Sequence, residues 1–112
     1  MTATITPTLN TSKILVIVSQ NGVSKAAGNT ESAINLRLLR GASIIAYAYG
    51  INYTGVSAVF NGSSVGLNYL DSPATTSATT YKTTFANDAN AASVSVQRSG
   101  AMSIITLLEI GA

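Results

Sequence analysis

Apolar and polar residues alternate along most of this chain with a period of two, which is the pattern of half-buried strands. The first apolar run, Ser12–Ser19 (SKILVIVS), is continuous and suits a strand buried on both faces. A polar stretch from Gln20-Asn21-Gly22 to Gly28-Asn29 reads as the longest loop of the first half. Ala33–Arg40 (AINLRLLR) admits a helix capped by Thr30. Its alternation of Ile34, Leu36 and Leu38 with Asn35 and Arg37 instead favours a strand, closed by Gly41. Ser43–Tyr49 (SIIAYAY) sets Ile45, Tyr47 and Tyr49 against small residues.

Val56–Phe60 and Gly66–Leu70 follow as short strands, with Asn61-Gly62 as a hairpin turn because both residues tolerate positive φ. Asp71-Ser72-Pro73 closes the second of them and opens a loop to Ser77, where Asp71 serves as a turn cap. Thr79–Phe85 (TTYKTTF) alternates again, Asn87-Asp88-Ala89-Asn90 turns the chain into Ser93–Arg98, and Ser103–Ile110 (SIITLLEI) is the last strand. Eight strands at this spacing predict an all-β fold, an antiparallel sandwich or barrel, with an eight-stranded antiparallel β-sandwich preferred, over residues 12–112 as a single domain. Residues 1–11, Thr-rich with Pro7, read as an extended N-terminal arm outside the core.

Composition supports the strands and narrows the chemistry. Ser and Thr make up 28 of the 112 residues, and Val, Ile, Tyr and Thr dominate the apolar runs, where branched side chains suit a pleated surface. Cys, His and Trp are absent, so the chain lacks thiolate and imidazole for transition metals and for Ser–His or Cys–His nucleophiles. Glu31, Asp71, Asp88 and Glu109 are the four carboxylates available for acid–base work, and nothing in the sequence sets two of them on neighbouring positions. The expectation is therefore a non-enzyme without metal or cofactor. Asn87-Asp88-Ala89-Asn90 lacks the spaced carboxylates of a calcium loop.

The net charge of +2 comes from Lys13, Lys25, Arg37, Arg40, Lys82 and Arg98, too scattered for a nucleic-acid surface. No apolar run is long enough to span a bilayer as a helix, and the N-terminus has no signal-peptide pattern, so a protein made in the cytoplasm and free of membranes is expected. With 9% charged residues and no disulfide, a small β-sandwich is poorly protected against edge association, which predicts an obligate oligomer or one part of a larger assembly. Arg40 and Glu109 stand at the ends of apolar strands and are candidates for a structural ion pair, within or between subunits. Tyr47, Tyr49, Tyr53, Tyr69 and Tyr81 are candidates for the core, for a subunit interface, or for stacking against glycan.

Two stretches carry a resemblance. Tyr69-Leu70-Asp71-Ser72-Pro73-Ala74-Thr75-Thr76-Ser77-Ala78-Thr79-Thr80-Tyr81-Lys82, with Ser103-Ile104-Ile105-Thr106-Leu107-Leu108-Glu109-Ile110, resembles a β-rich module of tailed-phage virion proteins, found among phages of cyanobacteria and other aquatic bacteria. Ser12-Lys13-Ile14-Leu15-Val16 and Leu36-Arg37-Leu38-Leu39-Arg40-Gly41 fit its opening half. The resemblance implies a structural protein of the virion surface, jelly-roll-like and homotrimeric, with no catalytic motif. In longer relatives the module looks like a fibre tip. Here Met1 lies just ahead of it, which favours a capsid decoration (cement) protein bound to the major capsid protein. A tail-fibre or head-fibre module recognising host glycan is the alternative.

Overall fold

A computed structural model describes residues 1–27, 32–54, 59–88 and 93–111. The described residues form eight β-strands and a short 3-10 turn at Arg98–Gly100. In chain order the strands are β1 (Thr2–Ile5), β2 (Lys13–Ala27), β3 (Ser32–Arg40), β4 (Ser43–Thr54), β5 (Val59–Asp71), β6 (Thr79–Asn87), β7 (Ser93–Ser95) and β8 (Ile104–Ile110). None of the described residues forms a helix long and apolar enough to cross a membrane.

The strands build two antiparallel sheets. The first has the order β1-β6-β3-β4. In the second, β2 pairs with β5 on one edge, while β8 and β7 share its other edge end to end, β8 along Lys13–Ser19 and β7 along Ser24–Ala27. Ile14, Val16 and Val18 of β2 face Leu36 and Leu38 of β3 and Tyr81 of β6, and these six side chains form the buried core. The slab is elongated, 49 × 24 × 17 Å. Its radius of gyration is 15.6 Å, against about 13 Å for a compact chain of this length.

The all-β antiparallel sandwich agrees with the sequence reading, but the strands are not the same eight. Residues 1–11, expected as an arm outside the core, supply β1. It pairs with β6 from Thr2↔Lys82 to Ile5↔Thr79, and Met1 and Ile5 pack on the core. The loop expected from Gln20 is instead the second half of β2. The turn expected at Asn61-Gly62 lies inside β5, so Val56–Phe60 and Gly66–Leu70 are not two strands of a hairpin; Val56 itself lies outside the described residues.

The reason is visible in the β2–β5 register. From Gln20↔Val65 to Val23↔Ser63 strand β2 carries an extra residue, and from Val23↔Ser63 to Lys25↔Val59 strand β5 carries two. The residues that signal turns are absorbed as bulges, which bend a strand without ending it. Of the strand expected over Ser93–Arg98 only Ser93–Ser95 pairs, because Gln97 and Ser99 adopt positive φ and turn the chain.

Gly22 sits where β7 hands over to β8. Its φ is +62°, and a Cβ there would lie 2.5 Å from the Arg98 backbone nitrogen. Around it the Gln97 N–H donates to the Asn21 carbonyl at 2.8 Å, and the Asn21 N–H donates to Ser103 Oγ at 2.9 Å. Gly22→Ala is expected to lower unfolding stability by about 2 kcal/mol through backbone strain and steric overlap. Urea melts of the two proteins measure this; an unchanged midpoint would show that Gly22 is not sterically required.

Candidate functional site

Directly opposed residues of neighbouring strands share a face of the sheet, so the register assigns each outward side chain. On the second sheet the residues outward of the core are Lys13, Leu15, Ile17 and Ser19 of β2. Their partners are Ile110, Leu108, Thr106 and Ile104 of β8, and Leu70, Asn68 and Gly66 of β5. Six aliphatic residues therefore stand on this outer face: Leu15, Ile17, Leu70, Ile104, Leu108 and Ile110. All but Leu15, which is half-buried, are between 37% and 57% exposed. Leu70, Leu15 and Leu108 make one continuous row across the three strands. The strand β2 is apolar on both faces, a pattern otherwise typical of sheets covered on both sides.

The outer face of the first sheet is of another kind. Thr2 and Thr4 of β1 oppose Lys82 and Thr80 of β6, and Thr4 and Thr80 hydroxyls hydrogen-bond at 3.0 Å. Arg37 of β3 stands between Thr84 and Tyr47. Tyr47 and Tyr49 are exposed, with ring centroids 6.1 Å apart and planes tilted by 40°. The Tyr49 hydroxyl donates to Asp88 Oδ2 at 2.6 Å, and Asn35 Nδ2 donates to Asp88 Oδ1 at 3.2 Å. The hydrogen bond to the Asp88 carboxylate, followed by its charge, raises the Tyr49 pKa.

The remaining candidates fall elsewhere. Tyr53 is exposed near the end of β4, Tyr69 packs half-buried against the core, and Tyr81 is fully buried. The structure does not bring Arg40 and Glu109 together within the chain. Arg40 Nη1 instead donates to both oxygens of Asp71, each at 2.9 Å. Glu109 Oε1 accepts from the Thr8 N–H and hydroxyl, both at 2.7 Å. Those Thr8 hydrogen bonds hold the Glu109 carboxyl below its ordinary pKa. This contribution to stability is present above the usual carboxylate range and fades as pH falls through the lowered value.

Asp71, expected as a turn cap and as one of four carboxylates available for acid–base work, is the polar centre whose role sequence reading missed. It ends β5 in the second sheet, is 5% exposed, and also accepts the Tyr81 hydroxyl at 2.7 Å. Arg40 and Tyr81 oppose each other across β3 and β6 of the first sheet, so one carboxylate ties the two sheets together. A turn-like Asp-Ser-Pro motif hides this role, because the partners lie in distant sequence. Lys25, placed by the sequence in a loop, is buried on β2. Glu31 lies outside the described residues. Among the described residues the other three carboxylates sit apart with different partners, and no group of three metal-ligating side chains forms.

Asp71→Ala is expected to cost about 2–3 kcal/mol, since it leaves a buried hydroxyl and a half-buried guanidinium without their acceptor. Arg40→Ala should cost less, because Arg40 is partly in water. Urea melts at neutral pH rank the two variants, and equal costs would contradict this view of the cluster.

Burial first, and then the hydrogen bond to Asp71, raise the Tyr81 pKa, with Arg40 opposing. A raised folded-state value means the contribution is whole below the unfolded tyrosine pKa of about 10 and is lost above it. Stability should then fall above pH 10 by about 1.4 kcal/mol per pH unit from this group. Tyr81→Phe should remove that part of the slope in alkaline urea melts, and an identical slope in the variant would refute the assignment.

No family model, curated protein or solved structure matches this chain.

Proposed function

We propose that this protein is a structural component of a phage virion, a capsid decoration protein that binds the assembled shell as a homotrimer and stabilises it. The observation that carries the reading is the aliphatic outer face of the second sheet, a surface whose exposure to water is unfavourable and whose covering is the natural source of assembly energy. The resemblance of residues 69–82 and 103–110 to virion modules supplies the biological setting, and with it the jelly-roll-like character of the sandwich. In this reading the protein acts by burying surface and not by chemistry. Contacts to the major capsid protein across capsomer junctions oppose the internal pressure of packaged DNA. The Thr-rich face of the first sheet offers hydroxyls for such contacts.

Antibody–gold labelling of intact particles of the source phage tests this reading. Label spread over the heads is the expected result, and particles that carry no label would overturn it.

A second reading is favoured by the Tyr47–Tyr49 pair, which places two exposed rings beside the hydrogen-bonded Asp88 carboxylate and Asn35 amide. Aromatic faces next to planar polar groups are the chemistry that recognises sugar rings, and they fit a fibre module that binds host glycan. In that case label gathers at tail or fibre tips. Glycan-array binding by the isolated protein should then fall at least about tenfold in Tyr47→Ala and Tyr49→Ala; unchanged binding in both would sink the sugar reading.

A further inference from the structure

We propose that the aliphatic outer face of the second sheet is covered by the same face of a second copy of this chain. This rests on the homo-oligomeric part of the function proposed above but replaces its homotrimer, because a face packed on its own copy pairs chains about a twofold axis and closes as a dimer.

Four observations carry it. The first is continuity. One aliphatic row runs unbroken across β5, β2 and β8, with Leu70, Leu15 and Leu108 side by side, and Ile17 stands next along the central strand between Asn68 and Thr106. The second is charge. Lys13 at one end is the only charged residue in the outward set of these three paired segments, and Ser19, Gly66, Asn68 and Thr106 are its small or neutral members. Depletion of charge at the centre is the mark of interfaces between identical subunits, whereas transient partners meet through more polar surfaces.

The third is area. From the exposed fractions, the aliphatic groups alone present roughly 400 Å² per chain. Two such faces with their polar rim bury about 1,000 Å² in total, which reaches the lower bound for a specific interface. The fourth is contrast. The opposite outer face mixes Leu39, Ile44 and the exposed Tyr47 and Tyr49 with Arg37, Lys82 and an array of threonines, so its apolar groups are interrupted by charge and hydroxyls. A face like that of the second sheet packs on another sheet about 10 Å away with side chains interdigitating, as the two inner faces already do within one chain.

The test is sedimentation of the full chain. The native protein should associate, and Ile17→Lys and Leu108→Lys should each raise the dissociation constant at least about 30-fold, since each places a charge at the buried centre. Tyr47→Lys, on the opposite face, should leave association unchanged. Circular dichroism and a thermal melt verify that each variant is folded.

Because the chain has no native cysteine, a second measurement needs no lysine variant. Ile17→Cys should give a disulfide-linked dimer on mild oxidation, while Tyr47→Cys should stay uncrosslinked. A native protein that sediments as a monomer overturns the proposal, and so does association that survives both lysine changes together with an uncrosslinked Ile17→Cys. The two readings fail separately. Association through this face in a protein missing from virions removes only the virion reading. A monomer found on virions, with this face against the shell, removes self-association and the homotrimer with it, and leaves the virion role standing.

Discussion

Every strand of the second sheet hydrogen-bonds to β2, so the side chains of that one strand decide what both sides of the sheet can do. Its inward residues Ile14, Val16 and Val18 are fully buried and anchor the core. Its outward residues Leu15 and Ile17 continue the same apolar chemistry where a solvated sheet would alternate to polar ones. A strand written this way is satisfied on one face by the fold and left unsatisfied on the other. Folding alone therefore leaves part of the driving force unused, and the oligomer is where it would be spent.

The polar interactions keep that sheet in place without competing with it. Asp71 is carried by the far end of β5, where the two sheets approach, and it gathers Arg40 and Tyr81 from the opposite sheet. The Tyr81 ring fills the core while its hydroxyl reaches the carboxylate, so one side chain serves both packing and charge. At the other end of β8, Ser103 accepts from Gln20 and Asn21, and Gly22 lets the backbone of Arg98 come close. β8 is thus fixed at both ends, by Thr8 on Glu109 and by Ser103 on β2, and its outward residues Ile104, Leu108 and Ile110 hold their register beside β2.

Sequence patterning was most informative where a strand is regular and bounded by an unambiguous turn. The alternation of Ile34, Leu36 and Leu38 up to Gly41 gives β3 correctly, and Thr79 to Phe85 and Ser103 to Ile110 fall within a residue or two of β6 and β8. It misled where a turn residue serves a bulge. Gly22 and Asn61-Gly62 have the same local chemistry in a hairpin and in a bent, continuing strand, and only the partner strand decides between them. That Arg40 meets Asp71 and not Glu109 within the chain was hidden for a similar reason: Asp71 and Glu109 both end apolar strands, and periodicity carries no record of strand order. The continuous run SKILVIVS read as a strand buried on both faces. It is apolar on both, but the chain buries only one of them and leaves Ile17 exposed. Tyr47 and Tyr49, two residues apart, do share a face. What no local pattern conveys is that Asp88, the residue just beyond β6, meets Tyr49 from β4.

Under the proposed function, the two outer faces would divide between them the work that a module in an assembly has to do. A domain this small buries only about two-thirds of its surface, and with neither disulfide nor abundant charge it gains stability most readily by joining copies. Spending the aliphatic face on self-association leaves the Thr- and Tyr-bearing face directed away from the join. There Arg37, Lys82, the threonine hydroxyls and the Tyr49–Asp88–Asn35 cluster are available for contacts that discriminate one partner from another. Hydrogen-bonding groups confer specificity but little net affinity when each must give up water. Repeating that face on every copy of an oligomer raises avidity without strengthening any single contact. On that reading the dry face would determine whether a weak, polar recognition surface is effective, whether that surface met a protein shell or a sugar.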